Sequence, residues 1–134
     1  MKVSRVWLVH PIDKQDLSSA AQYGSFHTIN HRFVYADQIG DDGRINKHFI
    51  AKMREAAQQF DAGNDYLLIA GDHLQIAQMC AFIAQMWGSF KVLRWDRKAE
   101  GYYPVILEED KDSFEPQLDD IGDETWPKQR RPDR

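Results

Sequence analysis

The first apolar run is short. Val3, Val6, Trp7, Leu8 and Val9 are β-forming residues, and His10-Pro11 stops them, so residues 3–9 read as a buried strand. Residues 13–25 are polar apart from Leu17, Ala20, Ala21 and Tyr23. They read as a short helix closed by Gly24, or as an ordered loop. Phe26 to Tyr35 is rich in β-branched and aromatic residues and reads as a strand, or as two strands with a break at Asn30. Asp37 to Gly43 reads as a loop from its Gly and Asp content.

The period then changes. Behind Asn46, a candidate N-cap, the apolar residues Phe49, Ile50, Met53, Ala56, Ala57 and Phe60 recur three and four apart, which predicts an amphipathic helix to about Phe60. Asp61-Ala62-Gly63-Asn64 ends it. Tyr66 to Ala70 is a continuous apolar run of strand length, and Gly71-Asp72 turns directly into a second helix, Leu74 to Trp87. Asp72 fits its N-cap, with Gln75 three residues on in a capping-box pattern. Only Gln75, Gln78 and Gln85 interrupt its apolar surface. A helix of that kind needs cover on more than one side, either between two layers of the domain or at a subunit interface. Gly88 ends it. Phe90–Asp96 and Tyr102–Leu107 flank the turn Arg97–Gly101 and read as a β-hairpin.

The order β, β, α, β, α, β, β predicts an α/β fold with a small mixed sheet of four or five strands. The unit 66–96 supplies two parallel strands joined by a right-handed crossover. The helices pack on the sheet, and the antiparallel hairpin closes one edge.

Composition adds an asymmetry. The 134 residues fit one domain, assigned to residues 1–107. Residues 1–107 carry 12 Lys+Arg and 11 Asp+Glu, whereas 108–134 carry 5 and 10. The negative field therefore comes from the last 27 residues, an acidic tail with scattered Phe114, Leu118, Ile121 and Trp126. Such a segment buries too little apolar surface to offset its ordering entropy, so a disordered tail is expected. Its bland role is to solubilise; its sharper roles are to dock on a basic partner or to compete for the protein's own basic groove. The single cysteine, Cys80, excludes an internal disulfide, and among apolar neighbours it reads as a structural thiol. No basic segment leads into an apolar one at the start, and the charge-free stretch His73–Phe90 is too short and glutamine-rich for a membrane span. These features place the chain in a cytoplasm.

No motif commits the chain to a reaction, and no cofactor fingerprint is present. The most suggestive group is Gly71, Asp72 and His73. In parallel sheets, ligands gather outside the carboxyl ends of the strands, where a helix N-terminus favours anions. If residues 3–9 lie parallel beside 66–70, His10 and Asp13 share that edge, and two histidines with two carboxylates suit a metal or acid–base work. Against this, Asp72 is already explained as a cap and would itself fill the anion site. His27 and His31 form no metal pair on a strand, where they stand ~13 Å apart. Arg94, Trp95, Arg97, Lys98, Tyr102 and Tyr103 interleave cations with aromatics, as single-stranded nucleic-acid sites do. Alternation puts Leu93 and Trp95 on one face of that hairpin and Arg94 on the other.

The run Asp65-Tyr66-Leu67-Leu68-Ile69-Ala70-Gly71-Asp72, the apolar helix, Lys91-Val92-Leu93-Arg94-Trp95-Asp96-Arg97 and the strand with Tyr103-Pro104-Val105 together resemble small uncharacterised phage- and prophage-encoded proteins. Arg5-Val6-Trp7-Leu8-Val9, Asp16-Leu17-Ser18-Ser19-Ala20 and Tyr23-Gly24 extend the resemblance over most of residues 3–107. It implies a phage origin and supplies no catalytic residues. The leading expectation is a non-enzymatic interaction protein in the host cytoplasm, binding a protein partner or a second copy through Leu74–Trp87 and the last hairpin. The alternative is a nucleic-acid-associated protein with a competing tail. A ligand-binding or hydrolytic site at the strand edge is the third.

Overall fold

The computed structural model describes residues 3–13, 15–33 and 44–108. Strand β1 (Arg5–Leu8) sits second in a five-stranded sheet of order β2-β1-β3-β4-β5, with β2 Ser25–Thr28, β3 Tyr66–Leu68, β4 Phe90–Asp96 and β5 Gly101–Leu107. The first four are parallel, and β4–β5 is an antiparallel hairpin. Helices α1 (Arg44–Gln59) and α2 (His73–Trp87) join β2 to β3 and β3 to β4.

Alternation along the central strands divides the core in two. Trp7, Val9, Leu67, Phe90 and Val92 face both helices, meeting Met53, Ala57 and Phe60 of α1 and Ile76, Met79 and Ile83 of α2. Val6, Leu8, Leu68, Ala70 and Leu93 face the other way, under Ala20, Leu17 and Tyr23 of the β1–β2 connection and Tyr102 of β5. Steps to opposite sides of β1 therefore cross on opposite faces of the sheet, as a single hand of crossover requires. The connection carries a 3₁₀ turn, Ala20–Tyr23, closed at Gly24. A Cβ on Gly24 would stand 2.4 Å from the Ser4 carbonyl oxygen, so only glycine fits there.

Three expectations need correction. The strand expected over Phe26–Tyr35 is only Ser25–Thr28; Ile29 and Asn30 still donate to Leu8 O and Val9 O, but β1 then turns away at His10-Pro11 and offers no further partner. Val34, Tyr35 and the loop 37–43 lie outside the described residues, as does the acidic segment from 109 onward. Helix α1 starts at Arg44, so Asn46 lies inside its first turn and is not its cap. Asp72 does cap α2, accepting from Leu74 N–H and Gln75 N–H, but Gln75 does not complete a capping box. Its side chain is fully buried and turns to the backbone of residues 9, 31 and 33. Helix α2 packs on the sheet and against α1, while its outer side is open: Leu74 is 66% exposed, and Ala77 and Ala81 are exposed with it. Both helices share one face of the sheet, so no second layer of described residues lies outside α2.

At the far edge, β5 is blunted. Pro104 has no N–H to offer, and Tyr102 N–H, two residues earlier on the same side of the strand, is taken by Ser19 Oγ at 2.9 Å. Both features discourage addition of a further strand.

Candidate functional site

The chain leaves β1 toward β2 and leaves β3 toward β4, so the carboxyl ends of these two neighbours diverge. The crevice opened at such a switch point is where parallel sheets receive ligands. Here it is a cleft of about 460 Å³ lined by His10, Pro11, Ile12, Asp13, Gln15, Arg32 and Gly71.

His10 forms its wall. The ring is buried, its Nδ1 lies 2.8 Å from Pro11 O, and its Nε2 lies 2.9 Å from Asp72 N. A backbone N–H can only donate, so Nε2 accepts from Asp72 and the proton sits on Nδ1, donated to Pro11 O. With both nitrogens engaged, the imidazole holds the β1 and β3 ends together and has no free nitrogen for proton transfer. Gly71 makes the arrangement possible. Its φ is +108°, and a Cβ there would stand 2.5 Å from His10 Nε2 and 3.1 Å from Ile12 Cδ1.

The structure thus brings His10, Asp13, Gly71 and the Asp72 backbone together. The Asp72 carboxylate points into its own helix, occupying the amides of Leu74 and Gln75. His73 is exposed at the first residue of α2 and does not line the cleft. Among the described residues no group of three or more His, Cys, Asp or Glu is placed to hold a metal. Sequence reasoning missed Gln15 and Arg32. Gln15 donates to Tyr102 Oη at 2.6 Å, tying the cleft rim to β5. Arg32 is exposed, has no carboxylate partner among the described residues, and brings a positive charge. The signal that could have found it is topological: once β2 is known to run parallel to β1, the residues after Asn30 must emerge at the same edge as His10.

The hairpin cluster is divided. Trp95 packs edge-on against buried Tyr102, ring centroids 5.1 Å apart, toward the 3₁₀ turn. Arg94 donates to Tyr103 Oη on the opposite face, as alternation predicts. Arg94, Trp95, Arg97, Lys98 and Tyr103 border a depression of about 580 Å³ together with Asp96. Tyr102 is sealed in the core with its hydroxyl bonded, so it offers no stacking face. His27 packs on Trp7 and His31 near Phe49, at centroid distances of 5.4 and 6.3 Å. His31 lies beyond the strand, so the separation argued for one strand does not describe it. Cys80 is half-buried beside Ala81, Ala84, Phe90 and Leu107, and burial pushes its thiol pKa up, which disfavours the reactive thiolate. Burial, followed by the Asp16 charge, likewise raises the Tyr102 phenol.

The family described as Phage Pam3 gp32-like protein matches residues 6–109. The chain belongs to this family. The matched span contains every strand from Val6 of β1 to the end of β5, and so the whole cleft and the hairpin. The family description gives a phage origin and states no reaction. No curated protein and no solved structure matches the chain. No helix among the described residues is long and apolar enough to cross a membrane.

Proposed function

We propose that this phage-family protein is a non-enzymatic binding protein whose cleft between β1 and β3 takes a small ligand bearing an anionic oxygen group. The observation that carries this is Arg32, a cation without a described carboxylate partner, at the lip of a crevice placed where the strand order reverses. Around it, Asp13 and Gln15 can accept and donate to the ligand's remaining polar groups, and Ile12 and Pro11 give an apolar wall. A guanidinium offers a planar fork that fits carboxylate or phosphate. The α2 amides do not take part, since Asp72 fills them. The strand-edge ligand site, third among the readings taken from the sequence, therefore comes first.

Inorganic phosphate is the probe. Hydrogen bonds to charged groups contribute roughly 1.5–3 kcal/mol, so Arg32→Ala should weaken phosphate binding by at least about tenfold in calorimetry. Arg97→Ala, on the hairpin, should leave it unchanged. Equal affinity for wild type and Arg32→Ala would remove the proposal.

A second reading, self-association, is favoured by the outer side of α2. Leu74, Ala77 and Ala81 are exposed, and an apolar groove of about 290 Å³ continues beside them toward Leu107. The blunted β5 edge disfavours pairing of copies through that strand. Light scattering should give a dimer mass that Leu74→Glu reduces to a monomer; a monomer for the wild type at high concentration would dismiss it.

A further inference from the structure

We infer that Gln75 is the positioning residue of the cleft, clamping the backbone on both sides of Arg32 so that the guanidinium is presented at one place; this rests on the ligand site proposed above. Gln75 is the polar side chain of α2 that is 0% exposed, in a helix whose Leu74 faces solvent. Burying an amide and exposing a leucine reverses the ordinary preference, and the inversion is held by hydrogen bonds. Gln75 Oε1 accepts from Phe33 N at 2.8 Å, and Nε2 donates to His31 O at 3.2 Å and to Val9 O at 3.4 Å. The first two are the peptide groups immediately flanking Arg32. One planar amide thus grips residues 31 and 33 as a neighbouring strand would, just beyond the point where β2 has lost its pairing with β1.

Nothing else described holds this stretch so directly. Asn30, one residue before it, is fixed to α1 by Nδ2 donating to Phe49 O at 2.7 Å. Arg32 lines the cleft and has no hydrogen-bond or ion-pair partner among the described residues. The backbone clamp therefore sets the cation's origin, while its side chain remains free to meet a ligand. Through Val9 O the same amide is tied to the end of β1, one residue from His10, so cation and histidine wall share a common support.

The test compares four variants by phosphate titration, thermal melting and amide hydrogen exchange. Gln75→Met keeps the volume and removes all three bonds; it should weaken phosphate binding about tenfold, approaching Arg32→Ala, and speed exchange at Phe33. Gln75→Glu keeps the acceptor for Phe33 and loses the donor, and should fall between; it is read alone if Gln75→Met does not fold. Met79→Ala, in the same helix and fully buried, lowers the melting point without removing a hydrogen bond to residues 31–33, and should leave phosphate affinity within about twofold. Equal loss of affinity in Gln75→Met and Met79→Ala would mean that Gln75 serves the fold alone, and would overturn the inference. So would wild-type affinity in both Gln75 variants while Arg32→Ala is impaired, with the ligand site itself left standing. Wild-type affinity in Arg32→Ala would instead reject the ligand site.

Discussion

Replacing Asp65 by alanine is expected to cost about 3 kcal/mol of stability, at the lower end of what removing one partner of a buried ion pair costs. Asp65 lies at the start of β3, 1% exposed. Its Oδ1 accepts from Arg5 N–H at 3.0 Å. Its Oδ2 accepts from Arg5 Nε at 3.1 Å, from Trp7 Nε1 at 3.0 Å and from Asp61 N–H at 2.9 Å. The Arg5 guanidinium completes the pair at 2.9 Å. One carboxylate thus joins β1, β3 and the end of α1. Without it the buried indole N–H loses its acceptor, an orphan that costs ~1–3 kcal/mol, and the part-buried Asp61 amide loses its bond as well. Arg5 is part-exposed and still donates to Gln59 O, so its charge can reach water and the loss stays at the low end of the range. Chemical denaturation followed by Trp fluorescence reads the change. Asp65→Asn keeps an acceptor and should lose less; equal stability of Asp65→Ala and wild type would refute the role.

The second large effect is expected at Gly71. Alanine there must adopt a φ of +108°, which side chains rarely accept, and its Cβ must displace the His10 ring from 2.5 Å. The ring is held by Pro11 O and Asp72 N–H, so it cannot move without breaking those bonds. Backbone strain of ~1–2 kcal/mol and an unsatisfied buried group of ~1–3 kcal/mol together give a loss of about 3 kcal/mol. The clash has a specific partner, which a double-mutant cycle isolates. In a His10→Ala background the Gly71→Ala cost should shrink to the backbone strain alone. Full additivity of the two substitutions, in urea unfolding, would mean that the ring and the glycine are not coupled.

These two positions show what the sequence could and could not reveal. The unit 66–96 was legible because a continuous apolar run, a Gly-Asp turn and a charge-free helix leave little choice of structure, and the parallel pairing of Leu67 with Val92 follows. Asp72 as a cap was legible because its partners lie two and three residues away. Asp65 was not, because its importance depends on Arg5 and Trp7, about sixty residues earlier and adjacent only once β1 and β3 pair. Gln75 was misread for the same reason: a local capping box explained it, while its true partners stand 42, 44 and 66 residues away. The first strand of the segment 26–35 stops at Thr28 and residues 29–33 do not continue it, because β propensity says nothing about where the neighbouring strand stops.

The same limit explains the candidate site. His10, Asp13 and Gly71 could be grouped once two strands were assumed parallel, and the cleft does contain all three. Arg32 required a third strand whose direction the sequence leaves open, since sixteen residues separate β1 from β2 and no regular helix marks a crossover. On the hairpin, the two-residue alternation legible in sequence sends Arg94 and Trp95 to opposite faces of the sheet, and the structure bears this out.

Amide chemical-shift mapping during a titration with inorganic phosphate tests the central claim most directly. Perturbations should collect at His10, Ile12, Asp13, Gln15, Arg32 and Gly71 and saturate together. Shifts confined to residues 94–103, or none at all, would contradict a ligand cleft at the junction of β1 and β3.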